Sequence, residues 1–235
     1  MKKLLLMAVL LMASAAAFAQ NFQLHRDFGR NIYSDEEAGR QLVTLTYEQF
    51  KADKLGQWYW FIDLDMHHDG IGAAYTEISR EFKFAPESKF SAHIEFDGGL
   101  NSSTRYQSAA LIGPAYNGHN ADFSRTWSVQ AMYKQYFKGQ FHDAYASLQL
   151  TGVWGINFAD NRCTFSGFID FWRGEQANGH GQLVMLSEPQ FWYNFEKWKG
   201  FSIGGEIEVS NNFIFNTYND KSFFINPTIA VKYAL

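Results

Sequence analysis

The last eight residues, Thr228-Ile229-Ala230-Val231-Lys232-Tyr233-Ala234-Leu235, place apolar side chains on every odd position and small or polar ones on every even position. Successive side chains of a β-strand point to opposite faces. The segment therefore reads as a strand with one greasy and one wet face. The same period of two runs through most of the chain, broken by clusters of Gly, Asn, Asp and Lys. No helical stripe competes with it. Twelve strands are expected, at about 22–29, 40–50, 57–67, 71–82, 89–97, 104–113, 122–136, 143–155, 162–173, 183–195, 201–214 and 223–235.

Alternation of this kind fits two architectures. A soluble sandwich turns the apolar face inward, whereas a membrane barrel turns it toward lipid. Three features favour the barrel. Residues 1–19 have the parts of a secretory signal: Lys2 and Lys3, an apolar run from Leu4 to Met12, and Ala17-Phe18-Ala19 as the cleavage site. The apolar run is too short to span a bilayer as a helix. The inferred strands are long for a sandwich. Finally, 18% of the residues are aromatic, with 23 Phe, 12 Tyr and 7 Trp beside only 4 Pro, which suits the aromatic girdles of an outer-membrane barrel. The expected organisation is a removed signal at 1–19 and an all-β, up-and-down antiparallel transmembrane barrel over 20–235, in the outer membrane of a Gram-negative bacterium.

Composition narrows the rest. A single Cys, Cys163, excludes an intrachain disulfide and leaves no acceptor for a lipid anchor after the signal. The formal net charge of −4 argues against nucleic acid as a partner. The even strand count places both termini on the periplasmic side. The link at 114–121, opened by Pro114, is long for a turn on that side.

Alternation also assigns faces. In the third strand Trp58, Trp60, Ile62, Leu64 and Met66 share the apolar face, and Tyr59, Phe61, Asp63, Asp65 and His67 the other. In the fifth, Phe90, Ala92, Ile94 and Phe96 oppose Ser91, His93, Glu95 and Asp97. The wet face lines a lumen that collects many carboxylates and rings against few bases, such as Lys134 and Lys232. Carboxylates accept hydrogen bonds from hydroxyl and amine donors, and rings offer flat faces for stacking. Such a lining suits a small solute with a planar aromatic part and a hydroxylated part, and repels anions.

Local motifs carrying chemistry are sparse. Met66-His67-His68-Asp69-Gly70 is the sharpest cluster; a solvated loop is its default reading, with a metal or solute contact as the alternative. Adjacent strand residues point apart, so His67 and His68 converge only across a turn. His142, His119 and His180 sit in polar turns. No phosphate loop, dinucleotide fingerprint or zinc motif is present, and no enzymatic site, metal or cofactor is expected.

Leu45-Thr46-Tyr47-Glu48-Gln49-Phe50 followed by Leu55-Gly56-Gln57-Trp58-Tyr59-Trp60-Phe61-Ile62-Asp63 resembles the Tsx-like family of nucleoside-specific channel-forming outer-membrane proteins. Ala74-Tyr75-Thr76-Glu77-Ile78-Ser79, Leu111-Ile112-Gly113, Phe165-Ser166-Gly167-Phe168-Ile169-Asp170 and Pro189-Gln190 extend the likeness in order along most of the chain. Gln57 departs from the Asp that family tends to have, and Leu235 from a terminal Phe. The resemblance implies a monomeric twelve-stranded barrel that passes nucleosides. The matching lumen positions are Glu48, Phe50, Phe61, Asp63, Tyr75, Glu77, Phe168 and Asp170. The expected function is a diffusion channel for small solutes, nucleosides first. The alternative is a non-conducting structural or receptor barrel with an occluded lumen.

Overall fold

The computed structural model describes residues 19–101, 106–140, 142–175, 181–213 and 222–235. Most of the expected signal, His180 and parts of the links at 98–103, 174–182 and 215–222 lie outside the described residues. The strands are β1 (Ala19–Asp27), β2 (Val43–Asp53), β3 (Gly56–His67), β4 (Gly70–Lys83), β5 (Phe90–Asn101), β6 (Ala109–His119) and β7 (Arg125–Tyr136). They continue with β8 (Tyr145–Phe158), β9 (Cys163–Glu175), β10 (Gly181–Ser187), β11 (Gln190–Asn194), β12 (Phe201–Asn211) and β13 (Phe223–Ala234). A single helical turn, α1 (Gly29–Ile32), follows β1.

Consecutive strands pair antiparallel around the whole sheet, and β13 closes on β1, with Leu24 opposite Val231. β10 and β11 are one barrel strand. Both lie between β9 and β12, and the register is the same on either side of Glu188–Pro189, since Ser187 faces Ile169 and Gln190 faces Ser166. Pro189 has no N–H to give the ladder, so the pairing lapses there without slipping. The architecture is thus a closed, antiparallel, twelve-stranded transmembrane barrel. Closure satisfies every strand edge, as a bilayer demands.

Pro114 deceives in the same way. Read from sequence it ends a strand, yet β6 runs through it to His119. Pairing with β7 resumes in the same register, from Ile112 opposite Tyr133 to Ala115 opposite Gln130. The missing N–H costs one ladder bond rather than the strand. The connection to β7 is therefore the short 120–124, which removes the long turn expected at this end.

The faces follow the alternation. On β5, Ser91, His93 and Asp97 are buried while Phe90, Ile94 and Phe96 are exposed. Leu148 and Leu183, 72% and 65% exposed on the outer surface, belong to an apolar exterior of the kind a bilayer surrounds. Among the described residues, outward-facing charges of the strands, such as Arg26, Lys51, Asp53, Arg80, Arg125 and Arg173, lie near strand ends. Arg80 illustrates how a rim tolerates one. Its guanidinium lies over the rings of Trp58 and Phe82, at 5.1 and 4.9 Å, and donates to Asp53 at 2.8 Å.

Candidate solute path

The inward side chains do not line the bore evenly. Two opposed arcs are packed solid. Along β5–β8, Glu81 from the end of β4 accepts hydrogen bonds from Ser91 (2.6 Å) and Asn117 (2.7 Å), and His93 bridges Glu81 and Glu95 at 3.4 and 3.1 Å. Leu111 and Met132 pack together beside this network, both 2% exposed. Lys134 pairs with Asp97 at 3.0 Å and donates to Gln149 at 2.8 Å. Its ammonium lies 5.2 Å from the ring centroids of both Tyr136 and Trp172. On the other arc, where β13 closes on β1, Trp192 reaches in from β11 and is fully buried. Lys232 sits 4.1 Å over its ring and His25 meets it edge-on.

Between these arcs two walls stay open to solvent. On β3 and β4 the rings of Tyr59, Phe61 and Tyr75, continued by Tyr106 from the β5–β6 connection, follow one another along the bore, each centroid 6.1 Å from the next. Tyr59 and Phe50 lie toward the end that carries the termini, Tyr106 toward the far end. Carboxylates flank the rings at each level. Tyr59 Oη donates to Glu48 at 3.2 Å and Tyr75 Oη donates to Glu77 at 2.9 Å. Thr46 and Thr44, across the β2–β3 ladder, donate to Asp63 and Asp65. The facing wall on β9–β12 carries Phe168, Asp170, Glu188 and Glu206, all half-buried. Asp170 accepts from Thr151 on β8, repeating the Thr–Asp pairing of β2–β3.

Both walls carry carboxylates: Glu48, Asp63, Asp65 and Glu77 on one, Asp170, Glu188 and Glu206 on the other. The lumen bases, by contrast, are committed elsewhere: Lys134 to Asp97 and rings, Lys232 to Trp192. A solute in the path meets rings and carboxylates, with cations set back in the packed arcs.

The structure brings Glu48, Phe61, Asp63, Tyr75 and Glu77 together as adjacent cross-strand pairs, Glu48 opposite Phe61, Phe61 opposite Glu77 and Asp63 opposite Tyr75. Phe50 points inward at the rim of the terminal end, 42% exposed. Phe168 and Asp170 stand across the bore from this group. What sequence reading missed is the path of the first connection, 28–42, of which the expected strands at 22–29 and 40–50 left only 30–39 as a link. It folds into the far mouth. Phe28 N–H donates to Pro227 O at 3.0 Å, and Tyr33 meets Phe224 edge-on at 5.2 Å. Arg40 donates to Asp27 and Glu208, with 2.9 Å ion pairs to each. Burial opposes the Arg40 charge, but Glu208 and Asp27 outweigh it and hold the guanidinium more firmly protonated than usual. Nothing in Asp35-Glu36-Glu37 and Arg40 distinguishes them in sequence from a solvated loop.

Two groups among the described residues gather three potential metal ligands, His67–His68–Asp69 at an exposed tip and Glu77–Glu95–Asp97 inside the bore. In the second, Lys134 already supplies a positive partner for Asp97.

A closed twelve-stranded barrel with an apolar exterior and a polar interior is the architecture of a transmembrane β-barrel protein. The chain belongs to the family described as a domain of unknown function, DUF5020, whose model matches residues 19–235. No curated protein matches it in sequence. Among solved structures it is similar to the NanC porin, at 9% identity and TM-score 0.60, over 92% of this chain and 100% of that one. The KdgM porin follows at 12% identity and TM-score 0.49 over 92% and 99%, and LpxR from Salmonella typhimurium at 8% and 0.47 over 92% and 100%. At such identities the NanC likeness is one of fold.

Proposed function

We propose that the protein is a monomeric outer-membrane channel of a Gram-negative bacterium, exported by a signal at 1–19 that is then removed, and that it passes small polar solutes, nucleosides first. The observation that carries this reading is the pair of accessible walls. A ladder of four rings offers stacking faces to a planar base, and carboxylates at the same levels accept from ribose hydroxyls and base amines. Glu48, Phe50, Phe61, Asp63, Tyr75, Glu77, Phe168 and Asp170 are the proposed solute contacts, and they act by binding and orienting. Catalysis, a cofactor and nucleic acid have no part in the proposal; lipid surrounds the outer face. Liposomes holding the refolded protein should take up labelled nucleosides faster than a sugar of equal size. Equal uptake of both would leave a general pore and remove the nucleoside claim.

A second reading keeps the barrel and removes the transport. The two packed arcs and the inward fold of 28–42 favour it, because together they reduce the bore to the slot between the walls. No uptake of any solute would select this structural or receptor role.

A further inference from the structure

We propose that the tip joining β3 to β4 is a transition-metal site, in which His67, His68 and Asp69 bind one Zn2+ or a similar borderline cation. Neighbours on a regular strand point to opposite faces, so His67 and His68 should diverge. They do not, because His68 already lies in the turn that follows β3, and the β3–β4 pairing slips by one residue at Gly72 beside them. β3 then ends at His67, and Gly70 restarts the chain as β4 with φ +140°. The two imidazoles turn toward each other, with Nδ1 of His67 3.2 Å from Nδ1 of His68. Asp69 Oδ1 lies 3.5 Å from the first nitrogen and 4.0 Å from the second.

The 3.2 and 3.5 Å separations lie close to those around a tetrahedral ion, and a small rotation of the exposed Asp69 side chain closes the 4.0 Å one. Zinc bonds of about 2.0–2.2 Å place neighbouring ligand atoms about 3.3–3.5 Å apart. A single cation engages all three. Gly72 makes room for the arrangement: a Cβ there would sit 2.9 Å from His67 Cδ2. The side chains are 45%, 86% and 75% exposed, so an ion has free entry and water completes its coordination. Two imidazoles and one carboxylate select Zn2+, Cu2+ or Ni2+ over Ca2+ and Mg2+, which prefer oxygen alone. The tip lies on the rim, away from the walls of the bore, so this site stands or falls apart from transport.

The test is a Zn2+ titration of the full mature chain, prepared without a polyhistidine tag in detergent micelles and competed with a chromophoric chelator. The expected result is one saturable site, weakened at least tenfold in His67→Ala and in His68→Ala, and unaffected by excess Ca2+. Acidification should release the ion, because protons compete for imidazole nitrogen. Both variants should keep the wild-type shift in gel mobility on heating, since the tip is solvent-exposed. Absence of a saturable site, binding by both variants at wild-type strength, or displacement by Ca2+ would each overturn the proposal.

Discussion

Asn226 Nδ2 donates to Glu37 Oε1 at 2.8 Å, while Asn226 Oδ1 and Glu37 Oε2 are both buried without a donor. The two orphaned oxygens each lie 2.5 Å from the point a Cβ on Gly29 would occupy, so only glycine lets α1 settle over them. A proton on Glu37 would give Asn226 Oδ1 the donor it lacks and close a reciprocal acid–amide pair. Burial raises the Glu37 carboxyl above its ordinary range, against the opposing pull of the Asn226 hydrogen bond and the Arg40 charge. At a pH between the ordinary glutamate value and the raised one, the docked form of 28–42 holds a proton that the undocked form releases. Its contribution is fully present below the ordinary glutamate value and is lost as pH rises through the raised one.

This sets the first prediction. Hydrogen exchange in 28–42, corrected for intrinsic rates, should slow as pH falls from neutrality toward the ordinary glutamate range of about 4.3. Glu37→Gln should be protected throughout, with the pH dependence gone. An unchanged pH dependence in the variant would place the titrating group elsewhere.

Arg40 gives the second. Replacing it by Ala leaves Asp27 and Glu208 buried beside Glu37 with no cation among them, and breaking one partner of a buried ion pair costs about 3–5 kcal/mol. The barrel does not depend on this contact, so the cost should appear as release of 28–42. Single-channel conductance should rise in Arg40→Ala, and Arg40→Lys should fall between it and wild type.

Lys134 is the third. The Lys134→Met variant leaves Asp97 buried and unpaired, and the urea midpoint of the lipid-refolded barrel should fall by a loss of about 3–5 kcal/mol. Adding Asp97→Asn should recover most of that loss. Strictly additive losses in the double variant would mean the two residues are not coupled.

The strand positions and their faces were legible because an alternation of period two survives along nearly every strand; Ser91 and Glu95 against Phe90 and Ile94 needed no structure. Pro114 misled because a missing N–H looks the same in sequence whether it ends a strand or merely skips one ladder bond. Glu81, odd-numbered like Glu77 on the same strand, was readable as inward. The uneven filling of the lumen was not readable. Alternation assigns Glu95 and Asp63 alike to the inside, but only cross-strand packing decides that β5–β8 is solid and β2–β4 open. Glu37 and Arg40 were hidden for a related reason: a loop's contacts depend on distant strands, here on Glu208 and Asn226.

Face assignment supplies the fourth prediction. Ile207, at the middle of β12, points to lipid, and Ile207→Arg should cost about 2–4 kcal/mol and impair assembly. Asp63→Asn, inward on the open wall, should assemble normally and lower the preference for cations over anions. If both variants behave alike in refolding yield, the inside and outside of the barrel have been exchanged.

Planar-bilayer recording of the refolded mature chain under a salt gradient bears most directly on the open walls. The predicted result is discrete, cation-preferring conductance steps that millimolar nucleosides reduce and sugars of equal size do not. A bilayer that holds the folded protein yet shows no steps, or steps that no nucleoside alters, would contradict it.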